Sequence, residues 1–293
     1  MKSTDWAGCF LRQNKRLQVH SVYHRTVNIY AENRILAFHP DSISLTPLSL
    51  ALPLHEEEFA LLANAVREKK KIQTQWTESQ EVQIHIGKYS WNVGKNEVWN
   101  PKITGNLNKE QMRLALQQMR EVIMRYSHLG GFSDSVFRNK NPKDDLMSGI
   151  LREKITMLLD VSVRPGKMEE LGRIAQEMIG LGVGLTPSGD DFVTGLLLGF
   201  LTGTFPFDEE ELEDFREMVK RQAMYTNDIS RQYLLCACEG EFGENYHQLL
   251  RLCKMGQSIS KCLEQIIQTG HTSGLDALNG LAAGWMICCF GED

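Results

Sequence analysis

One twelve-residue pattern occurs twice in this chain and restricts its fold more than any other feature. The stretch Ser188-Gly189-Asp190-Asp191-Phe192-Val193-Thr194-Gly195-Leu196-Leu197-Leu198-Gly199 aligns with Ser273-Gly274-Leu275-Asp276-Ala277-Leu278-Asn279-Gly280-Leu281-Ala282-Ala283-Gly284. Both read S-G-x-D-x-x-[TN]-G-L-x-x-G. Two glycines four apart on an apolar helix share a face, and without side chains they let a second backbone approach closely. The pattern therefore predicts two related helices that pack on each other and bring their N-terminal loops to one place.

The first copy is preceded by Gly182-Val183-Gly184-Leu185-Thr186-Pro187, a glycine-rich loop in which Thr186, Pro187 and Ser188 form a helix-start signal. The first amides of a helix have no internal partner and lie at the positive end of its dipole, so such a turn suits an anion or a polar ligand. Ser188 with Asp191, and Ser273 with Asp276, also fit the capping box, with Asp in place of the usual Glu. Capping alone leaves Asp190, Thr186, His271, Thr272 and the recurrence of the glycines unexplained. Asp190, Asp191, His271 and Asp276 are therefore the candidate catalytic residues. Gly184, Thr186, Ser188, Gly189, Thr272, Ser273 and Gly274 are the candidate substrate-binding residues.

Three carboxylates repel a bare phosphate, and a helix dipole offsets only about 0.3–1 kcal/mol of that. Two solutions fit. A hard cation such as Mg²⁺, held by Asp190 and Asp191, bridges carboxylate and phosphate oxygens; or the acids accept hydrogen bonds from an amide-like NH₂ while the loop amides hold the ligand's anionic end. His271 is placed to transfer a proton or donate to an oxyanion, although a single His before a helix also serves as a cap or surface residue. Gly130-Gly131-Phe132 and Thr226-Asn227-Asp228-Ile229-Ser230-Arg231 are further stretches able to lend groups to a site, with capping and turning as their plainer role. Arg231 and Arg164 are the cations whose forked geometry would suit a phosphate or carboxylate. No Walker loop, dinucleotide fingerprint, nucleophile elbow or H-E-x-x-H helix occurs.

The 293 residues, 42% of them hydrophobic, allow one large or two ordinary domains. A net charge of -5 gives no basic footprint for nucleic acid, and Lys69-Lys70-Lys71 reads as a solvated helix end. The apolar runs 192–201 and 277–290 are too short and too broken to span a bilayer, and residues 1–10 lack the apolar stretch of a secretory signal. Seven cysteines without a C-x-x-C pair read as reduced core thiols, which points to a cytoplasmic protein.

Residues 1–104 read as a β-rich domain and 105–293 as an α-helical domain carrying the glycine motifs, an α+β chain. Strands are expected within 19–30 and 34–38, with Asn33 as a turn, then at 82–86 before Gly87, and 89–99 reads as a hairpin turning at Val93-Gly94-Lys95-Asn96. One helix, 56–71, interrupts them. Between Pro40 and Pro53 lies a loop-rich stretch with Ser42, Ser44, Thr46 and Ser49. After a boundary at 101–108, Asn108 and Gln111 start a helix whose face carries Met112, Ala115, Met119, Val122 and Tyr126. Further helices are expected near 145–160, 167–180, 187–203, 209–224, 227–238, 245–268 with a break at Gly256, and 274–290.

The segments 182–191, 226–230 and Gly270-His271-Thr272-Ser273-Gly274-Leu275-Asp276 resemble the signatures of the AllH-type family, with Val183 where that family often has Pro. The resemblance spans most of the chain, with its motifs all in the helical half. It implies a subunit of the oxamate carbamoyltransferase of anaerobic allantoin breakdown, working with two partner subunits on a small anionic carbamoyl substrate. That system takes oxalurate and phosphate to oxamate and carbamoyl phosphate. The alternative is a non-catalytic assembly or small-molecule-binding subunit whose glycine helices form a structural core.

Overall fold

In the computed structural model the chain forms two compact units, Met1–Pro101 and Lys102–Asp293. The residues described are 1–14, 17–69, 72–76, 82–86, 88–93, 97–138, 146–162, 168–203 and 208–290. The architecture is α+β, with a sheet-bearing N-terminal unit followed by helices.

The first unit holds strands β1 (Lys2–Thr4), β2 (Gln18–Val22), β3 (Val27–Ala31), β4 (Arg34–Pro40), β5 (Ser49–Leu52), β6 (Gln73–Trp76), β7 (Val82–Ile86), β8 (Tyr89–Asn92) and β9 (Glu97–Trp99). Helices α1 (Asp5–Gln13) and α2 (Glu56–Lys69) lie among them. A mixed six-stranded sheet runs β2-β3-β4-β5-β1-β9, and β6-β7-β8 make a second, antiparallel sheet. Glu32 and Asn33 both take positive φ (49° and 61°) to close the two-residue β3–β4 hairpin, a conformation that Asn tolerates. The alternation in Val82-Gln83-Ile84-His85-Ile86 buries Val82, Ile84 and Ile86 in one core with Ile29, Leu36, Phe38, Leu50 and Phe59.

Several expectations for this unit are corrected. The run 19–30 is two strands turning between Val22 and Val27. The segment 89–99 is no hairpin: β8 pairs with β7, while β9 pairs in parallel with β1 in the other sheet. Its expected turn at Gly94-Lys95-Asn96, like Gly87, Lys70 and Lys71, lies outside the described residues. The loop-rich stretch contains β5, which pairs in parallel with β4, and Ser49 accepts from the Thr46 amide and meets buried His39. The chain start, in which no element was expected, forms β1 and α1, with Thr4 capping the helix by accepting from the Ala7 amide at 3.2 Å.

The second unit contains α3 (Lys109–Arg125), α4 (Leu146–Ser162), α5 (Met168–Met178), α6 (Ser188–Thr202), α7 (Glu209–Gln222), α8 (Asp228–Cys238), α9 (Glu244–Lys254), α10 (Ser260–Ile267) and α11 (Ser273–Phe290). The expected helix start at Asn108 and Gln111 is a capping box formed on both sides, at 2.9 and 3.0 Å, and the periodic residues of α3 face the core. The expected helix 245–268 is two, α9 and α10, parted by a turn in which Gly256 takes φ 64°. At the centre lie α6 and α11, apolar nearly all round; α3, α5, α8 and α10 pack about them. All seven cysteines are free and five are buried; burial pushes the Cys238 and Cys253 thiols up to about 12, as expected of core thiols.

Candidate functional site

The two glycine helices meet backbone to backbone. A methyl group built on Gly195 would fall on the Ala277 carbonyl, and one on Gly280 would fall on the Phe192 carbonyl. Gly195 and Gly280 hold the same place in the repeat, as do Phe192 and Ala277. The contact is thus reciprocal, with Gly199 facing Gly284 in the same way, and the two copies are related by an approximate twofold within one chain. The repeat also fixes each helix start: a side chain on Gly189 would strike the Met178 carbonyl at the end of α5, and one on Gly274 the Ile266 carbonyl in α10. These glycines are therefore set by packing, and the packing brings both N-terminal turns together.

The expected capping boxes are not how the serines are used. Pro187 sits at the cap position of α6, one place earlier than expected, and no side chain caps that helix. Instead the Ser188 hydroxyl favours the charged form of Asp276, and the Ser273 hydroxyl that of Asp191. Each serine serves the aspartate of the other repeat. Thr186 and Ser273 join the loops directly, their hydroxyls 2.7 Å apart.

Adjacent in sequence, Asp190 and Asp191 have different surroundings because successive helical residues point about 100° apart. Asp190 is buried and fully engaged. Its Oδ1 accepts from the Gly180 amide at 2.7 Å, and its Oδ2 from the Thr226 and Ser230 hydroxyls, each at 2.5 Å. Asp190 thereby clasps the end of α5, the start of α6 and the start of α8, which Asn227 caps by accepting from the Ile229 and Ser230 amides. The Thr226–Ser230 segment is part of the site's frame.

Asp191 and Asp276 are the incompletely paired acids. Asp276 is fully buried; its Oδ1 accepts from the Phe132 amide at 2.6 Å, whereas its Oδ2 has no hydrogen-bond partner and is sealed from water. Asp191 Oδ2 is in the same state. Burial pushes the Asp276 carboxyl up to about 7, against the pull of the Phe132 amide and the Ser188 and Thr272 hydroxyls. Asp191 is raised well above the usual carboxylate range, first by burial and then by the negative charge of Asp276, while Ser273 and Thr186 pull it down. Two neighbouring carboxyls that oppose each other's ionisation titrate as a coupled pair.

The other expected site residues are spread around this pair. Gly182 and Gly184 take φ 118° and 107°, and the backbone there suits glycine. Gly184 is exposed with open space where a side chain would lie, and Val183 is 89% exposed. Thr272 lies beside Asp276, while His271 is exposed and forms no hydrogen bond among the described residues. Arg231 pairs with Asp228 at 2.5 Å on its own helix, and Arg164 lies outside the described residues. Among the described residues, no group of three or more His, Cys, Asp or Glu side chains is placed to hold a metal ion, and no helix is long and apolar enough to cross a membrane.

Residues 178–285 match the AllH family. The family is described as oxamate carbamoyltransferase subunit AllH, so it is that of one subunit within a larger assembly. All three motifs that carry the resemblance, 182–191, 226–230 and 270–276, lie inside the matched range, as do both glycine helices up to Trp285. No solved structure matches the chain.

Two further contributors to the site lie outside the paired motifs. One is the backbone amide of Phe132, outside the matched range, whose loop is fitted to Asp276 so closely that a side chain on Gly131 would overlap that carboxylate. Gly131 takes φ 62° there. Its doubled glycine was the only signal. The other is Tyr246 on α9, whose hydroxyl is pushed up by burial and by the charge of Asp191. Nothing around Tyr246 in the sequence distinguishes it from a core aromatic.

Proposed function

We propose that this chain is a working component of an oxamate carbamoyltransferase-type complex, and that its carbamoyl ligand binds where the α6 and α11 turns meet. The observation that carries this reading is the pair of carboxyls, fully buried Asp276 and half-buried Asp191, each with a sealed Oδ2 left without a partner. A buried acceptor that nothing satisfies costs about 1–3 kcal/mol, so a ligand supplying N–H groups recovers that loss on binding. Carbamoyl compounds supply those groups. Oxalurate and carbamoyl phosphate each join an NH₂ to an anionic end, which suits acids beside the free amides of a helix start.

In the reaction that the family name suggests, a phosphate oxygen bonds to the carbamoyl carbon of oxalurate while the bond from that carbon to the oxamate nitrogen breaks. The departing nitrogen takes a proton. A carboxyl that titrates near neutrality, as Asp276 does at about 7, is suited to give that proton, while the unpartnered oxygen of Asp191 accepts from the NH₂ and orients it. Thr186, Ser188, Thr272 and Ser273 line the pair, Gly184, Gly189 and Gly274 shape the turns, and His271 stands at the rim. Entry to the sealed oxygens requires the 181–187 loop or Gly130-Gly131 to shift. Two partner subunits complete the assembly, and oxamate and carbamoyl phosphate leave it in anaerobic allantoin breakdown in the cytoplasm. If a cation such as Mg²⁺ takes part, Asp191 is its better ligand, because Asp190 spends both oxygens on protein donors.

The assembly-subunit reading draws support from the same helices: the clasp at Asp190 and the interlocked glycines explain those residues structurally. It leaves the two open oxygens without a purpose. The deciding experiment is calorimetric titration of the full chain with carbamoyl phosphate, oxamate and oxalurate, with and without Mg²⁺. An Asp191→Asn, Asp276→Asn double variant with unchanged circular dichroism serves as the control. Binding by the native chain that disappears in the double variant supports the ligand site; equal heats in both, or none in either, favour the assembly role.

A further inference from the structure

The loop after α3 is built more firmly than a connection needs to be. Phe132, Ser133, Asp134 and Ser135 are all buried, and Ser133 takes φ 54°, a left-handed conformation that a non-glycine residue adopts at some cost. Four bonds hold it to its surroundings. The Phe132 amide donates to Asp276 at 2.6 Å, and the Asn279 side chain donates to the Ser133 carbonyl at 2.8 Å and accepts from the Val136 amide at 3.4 Å. The Ser133 hydroxyl donates to the Ser127 carbonyl at 2.5 Å. Asp276 and Asn279 lie one turn apart on α11, so a single helix face grips the loop.

The loop is held from its other side by a buried ion pair. Arg152, on α4 and nearly without exposure, donates to Asp134 Oδ1 at 3.2 Å and to the Arg138 carbonyl, while Arg138 pairs with Asp134 Oδ2 at 3.2 Å. Two charges taken out of water return little net stability compared with apolar residues of the same volume, so such a pair is better explained by the one arrangement it enforces. What it fixes here is Asp134, two residues along the chain from the Phe132 amide.

We infer that Arg152 and Asp134 are positioning residues for the carbamoyl site: through the Phe132 amide they fix the rotamer of Asp276, so that Oδ1 is occupied and Oδ2 faces the ligand. The link runs from Arg152 to Asp134, back along the backbone through Ser133 to Phe132, and from the Phe132 N–H to Asp276 Oδ1. The charged group that faces Asp276 from α6 is Asp191; Asp134 is engaged by Arg152 and Arg138, Glu264 of α10 pairs with Arg125, and Lys109 and Arg113 of α3 act on Cys289, far along α11. The use of Asp276 in ligand binding rests on the function proposed above, whereas its restraint by the loop does not.

The test is Arg152→Met and Arg152→Lys in the full chain, read by hydrogen exchange at the Phe132 amide and by calorimetry with oxalurate. In Arg152→Met the Phe132 amide should exchange at least about tenfold faster while the α6 and α11 amides stay protected, and oxalurate affinity should fall by about tenfold or more, as expected when a binding group is misplaced. Arg152→Lys, which keeps the charge beside Asp134, should restore most of both. An unchanged Phe132 amide in Arg152→Met overturns the inference. So does a loosened amide with unchanged affinity, provided Asp276→Asn abolishes binding; if Asp276→Asn binds like the native chain, the proposed ligand site has failed instead. Should Arg152→Met not fold, Asp134→Asn carries the same expectations.

Discussion

A Cβ built on Gly199 would lie 2.8 Å from the Cα of Gly284, and one built on Gly284 would lie 2.9 Å from the Cα of Gly199. No real side chain tolerates that approach, so the crossing of α6 and α11 admits only glycine at its centre. Since the turns carrying Asp191 and Asp276 open these same two helices, the crossing sets the distance between the acids.

Alanine at Gly195 or Gly280 is therefore expected to force the helices apart. Each added methyl would fall on a carbonyl of the facing helix, and backbone yields less readily than a side chain. Overpacking of this kind costs typically about 1–3 kcal/mol, and both variants should reach the top of that range. Because the two contacts are equivalent, their losses should agree within about 1 kcal/mol in urea unfolding. A tolerated alanine at either place would show that the crossing is looser than described.

Asp190→Asn is expected to act on stability rather than on ligand binding. The carboxylate takes hydrogen bonds from one amide and two hydroxyls, and an Asn side chain presents an NH₂ group toward at least one of those donors. Losing charged, buried hydrogen bonds costs about 1.5–3 kcal/mol each, so a destabilisation near 3 kcal/mol is expected, above what a lost helix cap gives. Oxalurate affinity measured well below the unfolding temperature should change less than about threefold, roughly 0.6 kcal/mol. A selective loss of binding in a fully stable variant would return Asp190 to the list of ligand-contacting acids.

The raised acids give stability a definite pH dependence. An unfolded aspartate titrates near 3.9, whereas folded Asp276 titrates at about 7 and Asp191 is raised as well. Between about pH 4 and pH 7 the folded chain holds more protons than the unfolded one, so stability falls as pH rises. Below that window both states are protonated and the full stability is present. Asp276→Asn removes its share of the slope while keeping an acceptor for the Phe132 amide. It should unfold at higher urea than the native chain at about pH 8, by at most roughly 4 kcal/mol, and nearly equally at about pH 4.5. Parallel curves for the two proteins would contradict a raised Asp276.

How much of this was legible in the sequence depends on whether a constraint falls on a side chain or on the backbone. The glycine pairs could be read because a missing side chain, repeated at the same spacing, has few uses on an apolar helix. The Asn108–Gln111 start could be read because its partners are three residues apart. Asp190 and Asp191 could not be told apart, since the residues that separate them, Thr226, Ser230 and Ser273, are distant in sequence. The serines were assigned to their own repeat because local capping is the nearer partner, whereas the close crossing brings the other repeat nearer still. The pairing of β9 with β1 rather than β8 joins opposite ends of the N-terminal unit, and no local pattern specifies it. The Phe132 amide carries no side-chain signature at all.

The bond between Thr186 and Ser273 offers the most direct measure of the coupling between the repeats. The two hydroxyls lie 2.7 Å apart, and both favour the charged form of Asp191. Thr186→Val and Ser273→Ala each remove one member, and the double variant removes the pair, so a double-mutant cycle isolates the interaction. A neutral hydrogen bond of this kind contributes about 0.5–1.5 kcal/mol, and the coupling should fall in that range. Each single variant should also push Asp191 further up. That moves the loss of stability with rising pH toward more alkaline values, since the folded state then keeps its proton longer. A coupling indistinguishable from zero, with no displacement of the pH curve, would mean that the loops touch without sharing energy, and that the two repeats meet only through their glycines.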